Sequence, residues 1–219
     1  DRVINTDRLF ELEHLPSSLA VLGLGAIGLE MGLALSRLGL KVIGAEMAAA
    51  PAGIVDPEIA ERVVAQFAPE LEMWLGAAAE VELRPEGVAV RSQGREVVVE
   101  KVLAALGRRP NIDGLDLAAA GLSLNERGLP AIDRHTLQAG GGRVFFAGDA
   151  SGFSGLMHEA ADEGAIAGYN AARAEAIRFR RRTPLAIAFT HPDIATAGAR
   201  FDQLDPQQII IGTAATEET

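Results

Sequence analysis

The stretch Leu19-Ala20-Val21-Leu22-Gly23-Leu24-Gly25-Ala26-Ile27-Gly28 constrains this chain more than any other. Four apolar residues run into GxGxxG, and Ile27, Met31, Ala34, Leu35 and Leu38 then recur at helical spacing until Gly39 supplies a stop. A short apolar run ending in glycine predicts a buried parallel strand, because a strand covered on both faces loses polar alternation. Residues 41–46 predict a second strand, weakened by Gly44. Strand, glycine turn, helix, strand is how a doubly wound α/β domain opens. Glu46 closes the second strand 23 positions after Gly23, the spacing at which an acid meets a ribose in dinucleotide-binding turns.

Each glycine of the motif has a physical task. Gly23 permits the tight turn, Gly25 lets backbone approach a pyrophosphate, and Gly28 lets the helix pack on the strand. The free N–H groups at the helix start, around Ala26 and Ile27, would hold the pyrophosphate where the helix dipole favours an anion. Glu46 would accept hydrogen bonds from ribose hydroxyls. A 2′-phosphate there would meet a carboxylate, and residues 47–53 contain neither Lys nor Arg, so NAD(H) is expected rather than NADP(H). The bland alternatives are a glycine-rich turn without a ligand and a surface glutamate that ends a strand.

Lys and Arg number 20 against 30 Asp and Glu, a net charge of −10 that argues against nucleic-acid and anionic-membrane partners. The basic run Arg178–Arg182, with Phe179 inside it, reads as a solvated helix end. The chain has no cysteine, which excludes disulfides, thiolate metal sites and cysteine nucleophiles among these residues. His14 and His135 lack neighbours at ligand spacing, and no metal is expected. The most apolar stretch, 19–45, is broken by Glu30, Arg37 and Lys41 and is no membrane span. No signal-peptide pattern opens the sequence, and a cytoplasmic location is expected.

Elsewhere, residues 1–15 read as a linker or short helix. Asp56-Pro57-Glu58 starts a helix that runs to about Phe67. Short strands at 71–74, 81–83, 88–91 and 97–99 predict an antiparallel meander, turning at Glu86-Gly87 and Gln93-Gly94. Further strands are expected at 101–106 and 143–147, and a helix from about His158 to Phe179.

Four segments follow the glycine motif and Glu30 in fixed order: Ala104-Ala105-Leu106-Gly107-Arg108-Arg109-Pro110-Asn111, FFAGDA at 145–150, LMHEAADEGAIAG at 156–168 and FTHPDIATAG at 189–198. With them the chain resembles the FAD-dependent pyridine nucleotide-disulfide oxidoreductases of class I, most closely the dihydrolipoamide dehydrogenase branch. The resemblance implies that Gly23, Gly25, Gly28 and Glu46 hold NAD and that Gly107 lies near the nicotinamide. Glu30 matches the family's acid on the nicotinamide–flavin side, and equally suits an acid near a helix N-terminus. Gly148 and Asp149 match the element that bonds the FAD ribityl hydroxyls. Leu156, Met157 and His158 match the helix start that faces the flavin ring, which makes His158 a helix-entry residue rather than an acid–base catalyst.

The family's FAD adenosine site lies on a first GxGxxG, followed by its cysteine pair, and its catalytic His–Glu pair lies in a C-terminal dimerisation domain. This sequence holds one GxGxxG and no cysteine. The expected fold is therefore α/β: a Rossmann-like NAD-binding domain, with a parallel sheet and an antiparallel meander, plus part of an FAD-binding-type domain. The expected divisions are a linker at 1–15, the NAD domain at 16–112, the C-terminal half of the FAD domain at 113–183 and the start of a dimerisation domain at 184–219. The resemblance implies hydride relay between NAD(H) and FAD in a homodimeric parent acting on a disulfide or dithiol such as a lipoyl group. The chain alone, with no catalytic residue of its own, is expected to be inactive. The alternatives are a stand-alone NAD(H)-binding module and a fragment of a cysteine-independent flavin NADH oxidase.

Overall fold

A computed structural model describes residues 1–215. The chain forms two units, one of Asp1–Gly107 with the chain from Pro184 onward, the other of Arg108–Thr183. In the first unit the order is β1 (Val3–Ile4), α1 (Thr6–Phe10), β2 (Ser18–Leu22), α2 (Ala26–Arg37), β3 (Lys41–Glu46), α3 (Pro57–Phe67), β4 (Glu72–Leu75), β5 (Glu80–Arg84), β6 (Gly87–Ser92), β7 (Arg95–Val99) and β8 (Lys101–Ala104). Strands β1, β8, β2, β3 and β4 lie side by side in that order, all parallel. Leu22 stands opposite both Ala45 and Ala104, so the carboxyl ends of the three central strands form one rim.

Both faces of this sheet are buried, and the period of two sorts their residues. Leu19, Val21 and Leu103 join Leu29 and Leu33 of α2 and Val63 and Phe67 of α3. Ala20, Ile43, Ala45, Trp74 and Val102 instead meet Val88, Val90 and Val99 of the β5–β6–β7 sheet. That antiparallel sheet stands where a second helical layer would otherwise lie, which accounts for apolar runs instead of alternation in the parallel strands. Gly44 also has its reason: a Cβ there would lie 2.7 Å from the Leu24 side chain, which packs down onto the strand.

Helix α3 begins as its residues predict, with the Asp56 carboxylate accepting from the N–H groups of Glu58 and Ile59 at 3.0 and 3.3 Å. Three expectations for this unit are corrected. The strand expected at 71–74 does not belong to the meander but pairs with β3 in the parallel sheet. Met73 and Leu75 pack to the helix side and Trp74 to the other, so it needs cover on both faces. Residues 1–15 are more than a linker or helix, since Val3 and Ile4 add a parallel edge strand beside β8. Strand β8 ends at Ala104, where Ala105 leaves the ladder after donating its N–H to Leu22 O at 2.8 Å.

Residues after Pro184 add the hairpin β11 (Leu185–Ala188) and β12 (Ile194–Ala197), with Ala188 and Ile194 in the helix-side core. In the second unit, β9 (Gln138–Ala139) and β10 (Val144–Phe145) pair antiparallel, followed by α4 (Met157–Ala171). Its apolar core is small, centred on Ile112, Leu117, Leu122, Ala139 and Phe146.

Strand β10 covers only part of the expected 143–147, and α4 stops well short of Phe179. The buried Asn170 side chain donates to Thr136 O and Ile177 O and accepts from Ile177 N, each at 3.0 Å, folding the chain back. Arg143 donates to the carbonyls of Ala171 and Arg173, meeting acceptors that the helix end leaves open. The run Arg178–Arg182 is therefore not a helix end. It returns past α4, with Arg178 paired to Asp133, Arg181 to Glu159 and Glu163, and Arg182 to Asp162.

On the exposed face of the meander, hydrogen bonds from Arg91, aided by Arg84, hold the Glu82 and Glu96 carboxyls below the ordinary carboxylate value. A carboxyl depressed in the folded state adds stability above its unfolded pKa, near ~4.3, and that stability is lost as pH falls through the folded value. Scanning calorimetry from about pH 6 down to about pH 3 should therefore give a smaller fall in Tm for Arg91→Met than for wild type. Identical profiles would show that this ladder contributes nothing measurable.

Candidate functional site

The rim formed by the ends of β2, β3 and β8 is closed by the glycine turn. Gly23 donates its N–H to Ala45 O at 2.8 Å, fixing the turn over the strand ends. Its φ of +86° is left-handed, and a Cβ there would lie 2.6 Å from Ala105 O and 3.5 Å from Leu106 Cδ2. Glycine is thus required by conformation and by close approach. Gly28, in the first turn of α2, is more tightly bound still, since a Cβ would sit 1.8 Å from Gly23 O. Gly25 differs: a Cβ would meet nothing within 4 Å, so packing gives no reason for a glycine. It stands at the N-cap of α2, where no side chain caps the helix and no acid occupies the first turn. The first N–H groups of the helix, at Ala26 and Ile27, are thus left without a side-chain cap, and the space beside Gly25 is open.

Glu46 converges on the same turn. Its Oε2 accepts from Leu24 N at 2.7 Å and its Oε1 from Ala48 N at 3.0 Å. These bonds fix the carboxylate beside the turn, and each oxygen keeps a further lone pair for a hydroxyl donor. The structure thus brings Gly23, Gly25, Ala26, Ile27, Gly28 and Glu46 together. Gly107 lies just past β8, exposed at φ +100°, beside the Leu106 that borders Gly23. Glu30 is engaged elsewhere: its Oε1 accepts from Phe189 N at 2.9 Å, pinning the chain after β11 to α2.

In the second unit, Gly148 has φ +63° and donates its N–H to Glu163 Oε2 at 2.8 Å. Asp149 is half exposed and takes a bond from Arg108 Nη1 at 3.0 Å, a solvent-facing pair of small energetic value. Helix α4 starts without a side-chain cap at Leu156, Met157 is 89% exposed, and His158 is exposed. Glu163 and Arg181 were not foreseen as site residues. A signal existed, because Glu163 and Asn170 share the helical face of Ile166, where an acid and an amide stand among apolar positions.

Among the described residues no group of three His, Cys, Asp or Glu side chains is placed to hold a metal. No helix among them is long and apolar enough to cross a membrane.

Comparison with known proteins places these features in context. Residues 1–164 match a family model described as pyridine nucleotide-disulphide oxidoreductase. Mercuric reductase of Bacillus cereus is 29% identical over 206 residues, covering 91% of this chain and 32% of that protein. Dihydrolipoyl dehydrogenase of Mycobacterium bovis is 31% identical over 199 residues, covering 87% of this chain and 42% of that one. Among solved structures, the Cu(II) complex of the HOCl-induced flavoprotein disulfide reductase RclA from Escherichia coli aligns with a TM-score of 0.80 and 26% identity, covering 92% of this chain and 47% of that chain. The chain thus spans less than half the length of these relatives.

The two glycines of the helix start should separate on substitution. Gly28→Ala forces a methyl into the Gly23 carbonyl and should cost about 3 kcal/mol or more in urea unfolding. Gly25→Val, which meets open space, should keep stability within about 1 kcal/mol of wild type. Equal losses at the two positions would contradict this division.

Proposed function

Because the chain belongs to the pyridine nucleotide-disulphide oxidoreductase family, we propose that its first unit binds NAD(H) at the Gly23–Gly28 turn and its second unit supplies part of an FAD site. The family is one of oxidoreductases that includes flavoprotein disulfide reductases and uses FAD with a pyridine nucleotide. The observation that carries the proposal is the convergence of an uncapped helix start, an empty-sided Gly25 and a fixed carboxylate on one turn. That donor and acceptor set fits a dinucleotide: N–H groups for the pyrophosphate, and carboxylate oxygens for ribose hydroxyls.

When bound, the nicotinamide and flavin rings supply hydride transfer, and the protein binds and orients them. Gly25, Ala26 and Ile27 present backbone N–H groups to the pyrophosphate, and Gly23 and Gly28 keep that backbone in place. Glu46 accepts from the adenosine ribose and, with no Lys or Arg at 47–53, disfavours a 2′-phosphate. Gly107 lets the chain after β8 pass close to the nicotinamide. Glu30 keeps one oxygen on Phe189 N and has the other for the nicotinamide side. Asp149 accepts from ribityl hydroxyls, and the open helix start at Leu156, Met157 and His158 offers its N–H groups to the flavin ring.

In this proposal the first unit as far as Gly107 is the NAD domain, the second unit is half of the FAD domain, and the chain from 184 onward is the start of a dimerisation domain in a homodimeric, cytoplasmic parent. The chain has no cysteine, so its own residues carry no thiol chemistry. Exchange with a disulfide or dithiol substrate, such as a lipoyl group, falls to residues of the parent beyond these 219, and the chain alone turns nothing over.

Calorimetric titration with NADH tests the first unit. Glu46→Ala should weaken binding by about 1–3 kcal/mol, the range for a hydrogen bond to a charged group. Gly25→Val should abolish binding with the fold retained, and NADPH should bind wild type more weakly than NADH. Unchanged NADH affinity in Glu46→Ala would remove this carboxylate from the site.

A further inference from the structure

We propose that Glu163 is a positioning residue, a buried carboxylate clamped by Arg181 that locks the Gly148–Asp149 turn to helix α4. This rests on the assignment of Asp149 to the FAD ribityl chain. The Glu163 side chain is wholly buried. A carboxylate taken out of water is costly unless every oxygen is engaged. Here Oε2 accepts from Gly148 N at 2.8 Å and Oε1 from Arg181 Nη2 at 3.2 Å. The same Arg181 nitrogen donates to Glu159 Oε2 at 2.6 Å, so one guanidinium ties two acids of α4 to the returning chain.

The helix face leaves little room at Gly148. Its φ of +63° is left-handed, and a Cβ there would come within 3.2 Å of Ala160 Cβ, so a glycine suits the position. Ala160 and Glu163 are neighbours three apart on one helix face, so the acid that takes the Gly148 N–H stands beside the residue that limits a side chain there. Packing alone does not demand an acid, since a buried ion pair replaced by apolar residues of similar volume is often neutral or stabilising. Its effect is geometric. The turn that carries Asp149 is fixed to the helix whose first turn carries Met157 and His158, so two contacts proposed for the flavin keep a set separation. The early stop of α4 serves the same end, because Asn170 turns the chain back and brings Arg181 alongside.

The test uses the isotopically labelled 219-residue chain with Glu163→Leu, Glu163→Gln, Arg181→Met and Asp149→Asn. The readouts are amide hydrogen exchange at Gly148 and Ile166, and amide shifts at Asp149 and Met157 during titration with FAD. Glu163→Leu should speed Gly148 exchange roughly tenfold while Ile166 stays protected, and Glu163→Gln, which keeps an acceptor, should largely restore it. FAD affinity should fall roughly tenfold in Glu163→Leu and recover in Glu163→Gln. If Ile166 loses protection in Glu163→Leu, Arg181→Met decides, and it should loosen Gly148 likewise. Unchanged Gly148 exchange in a folded variant overturns the lock, and faster exchange with unchanged FAD affinity overturns its purpose. If wild type shows no FAD shifts, or Asp149→Asn leaves them unaltered, the assignment of Asp149 falls and takes the flavin part of the proposal with it. Gly148 exchange then still reports on the lock alone.

Discussion

At Gly28 the helix α2 meets the carbonyl of Gly23 so closely that no side chain fits between them, and the geometry of the rim follows from that contact. A helix seated this near its strand turn places its first N–H groups over the sheet edge, where their aligned dipoles meet no capping side chain. The same seating drives Leu24 down onto Gly44 and leaves its N–H to the Glu46 carboxylate. One close contact thus sets the open N–H groups, the position of the acid and the glycine within β3. A glycine in a strand normally weakens it. Here the loss is offset by the burial of a leucine that anchors the turn.

The chain's local signals carried this part of the fold because its determinants are close in sequence. The apolar run of β2, the spacing of Ile27, Met31, Ala34 and Leu35, and the Asp56-Pro57 cap each lie within a few residues of what they specify. The strand at Glu72–Leu75 was legible as a strand but not as a parallel one, because partner choice depends on cover for both faces and that cover comes from the distant β5–β7 sheet. The end of α4 was illegible for a similar reason. Ala171, Ala172, Ala174 and Ala176 favour continued helix, yet the bonds Asn170 makes with Thr136 and Ile177, and those Arg143 makes with the last carbonyls, outweigh propensity. The bond from Phe189 N to Glu30 joins residues 159 apart, and neither carries a mark of the other.

The two units hold together by different balances. The first buries aliphatic side chains on both faces of a sheet, where burial scales with area and tolerates small shifts. The second has a small apolar cluster and, beside it, the buried polar groups of Glu163, Asn170 and Thr136. Hydrogen bonds in such surroundings are directional and severe when broken, so they define a conformation more sharply than they stabilise it. A unit of short strands and turns gains most from this arrangement, because its apolar core is small.

Charge raises a last question, since a chain of net charge −10 is proposed to hold an anionic dinucleotide. Distant carboxylates matter little, because exposed charges beyond about 8 Å are largely screened at physiological salt. What acts locally is the helix start, worth about half a positive charge at its N–H groups, with no acid in its first turn to cancel it. The carboxylate fixed at this turn, Glu46, has both oxygens already turned toward backbone N–H groups of Leu24 and Ala48, which spreads part of its charge into the turn. The proposed site is thus polarised within itself, with a positive backbone end that suits a phosphate and a negative side-chain end that suits hydroxyl donors. That separation needs neither Lys nor Arg, so the net charge does not stand against the proposal.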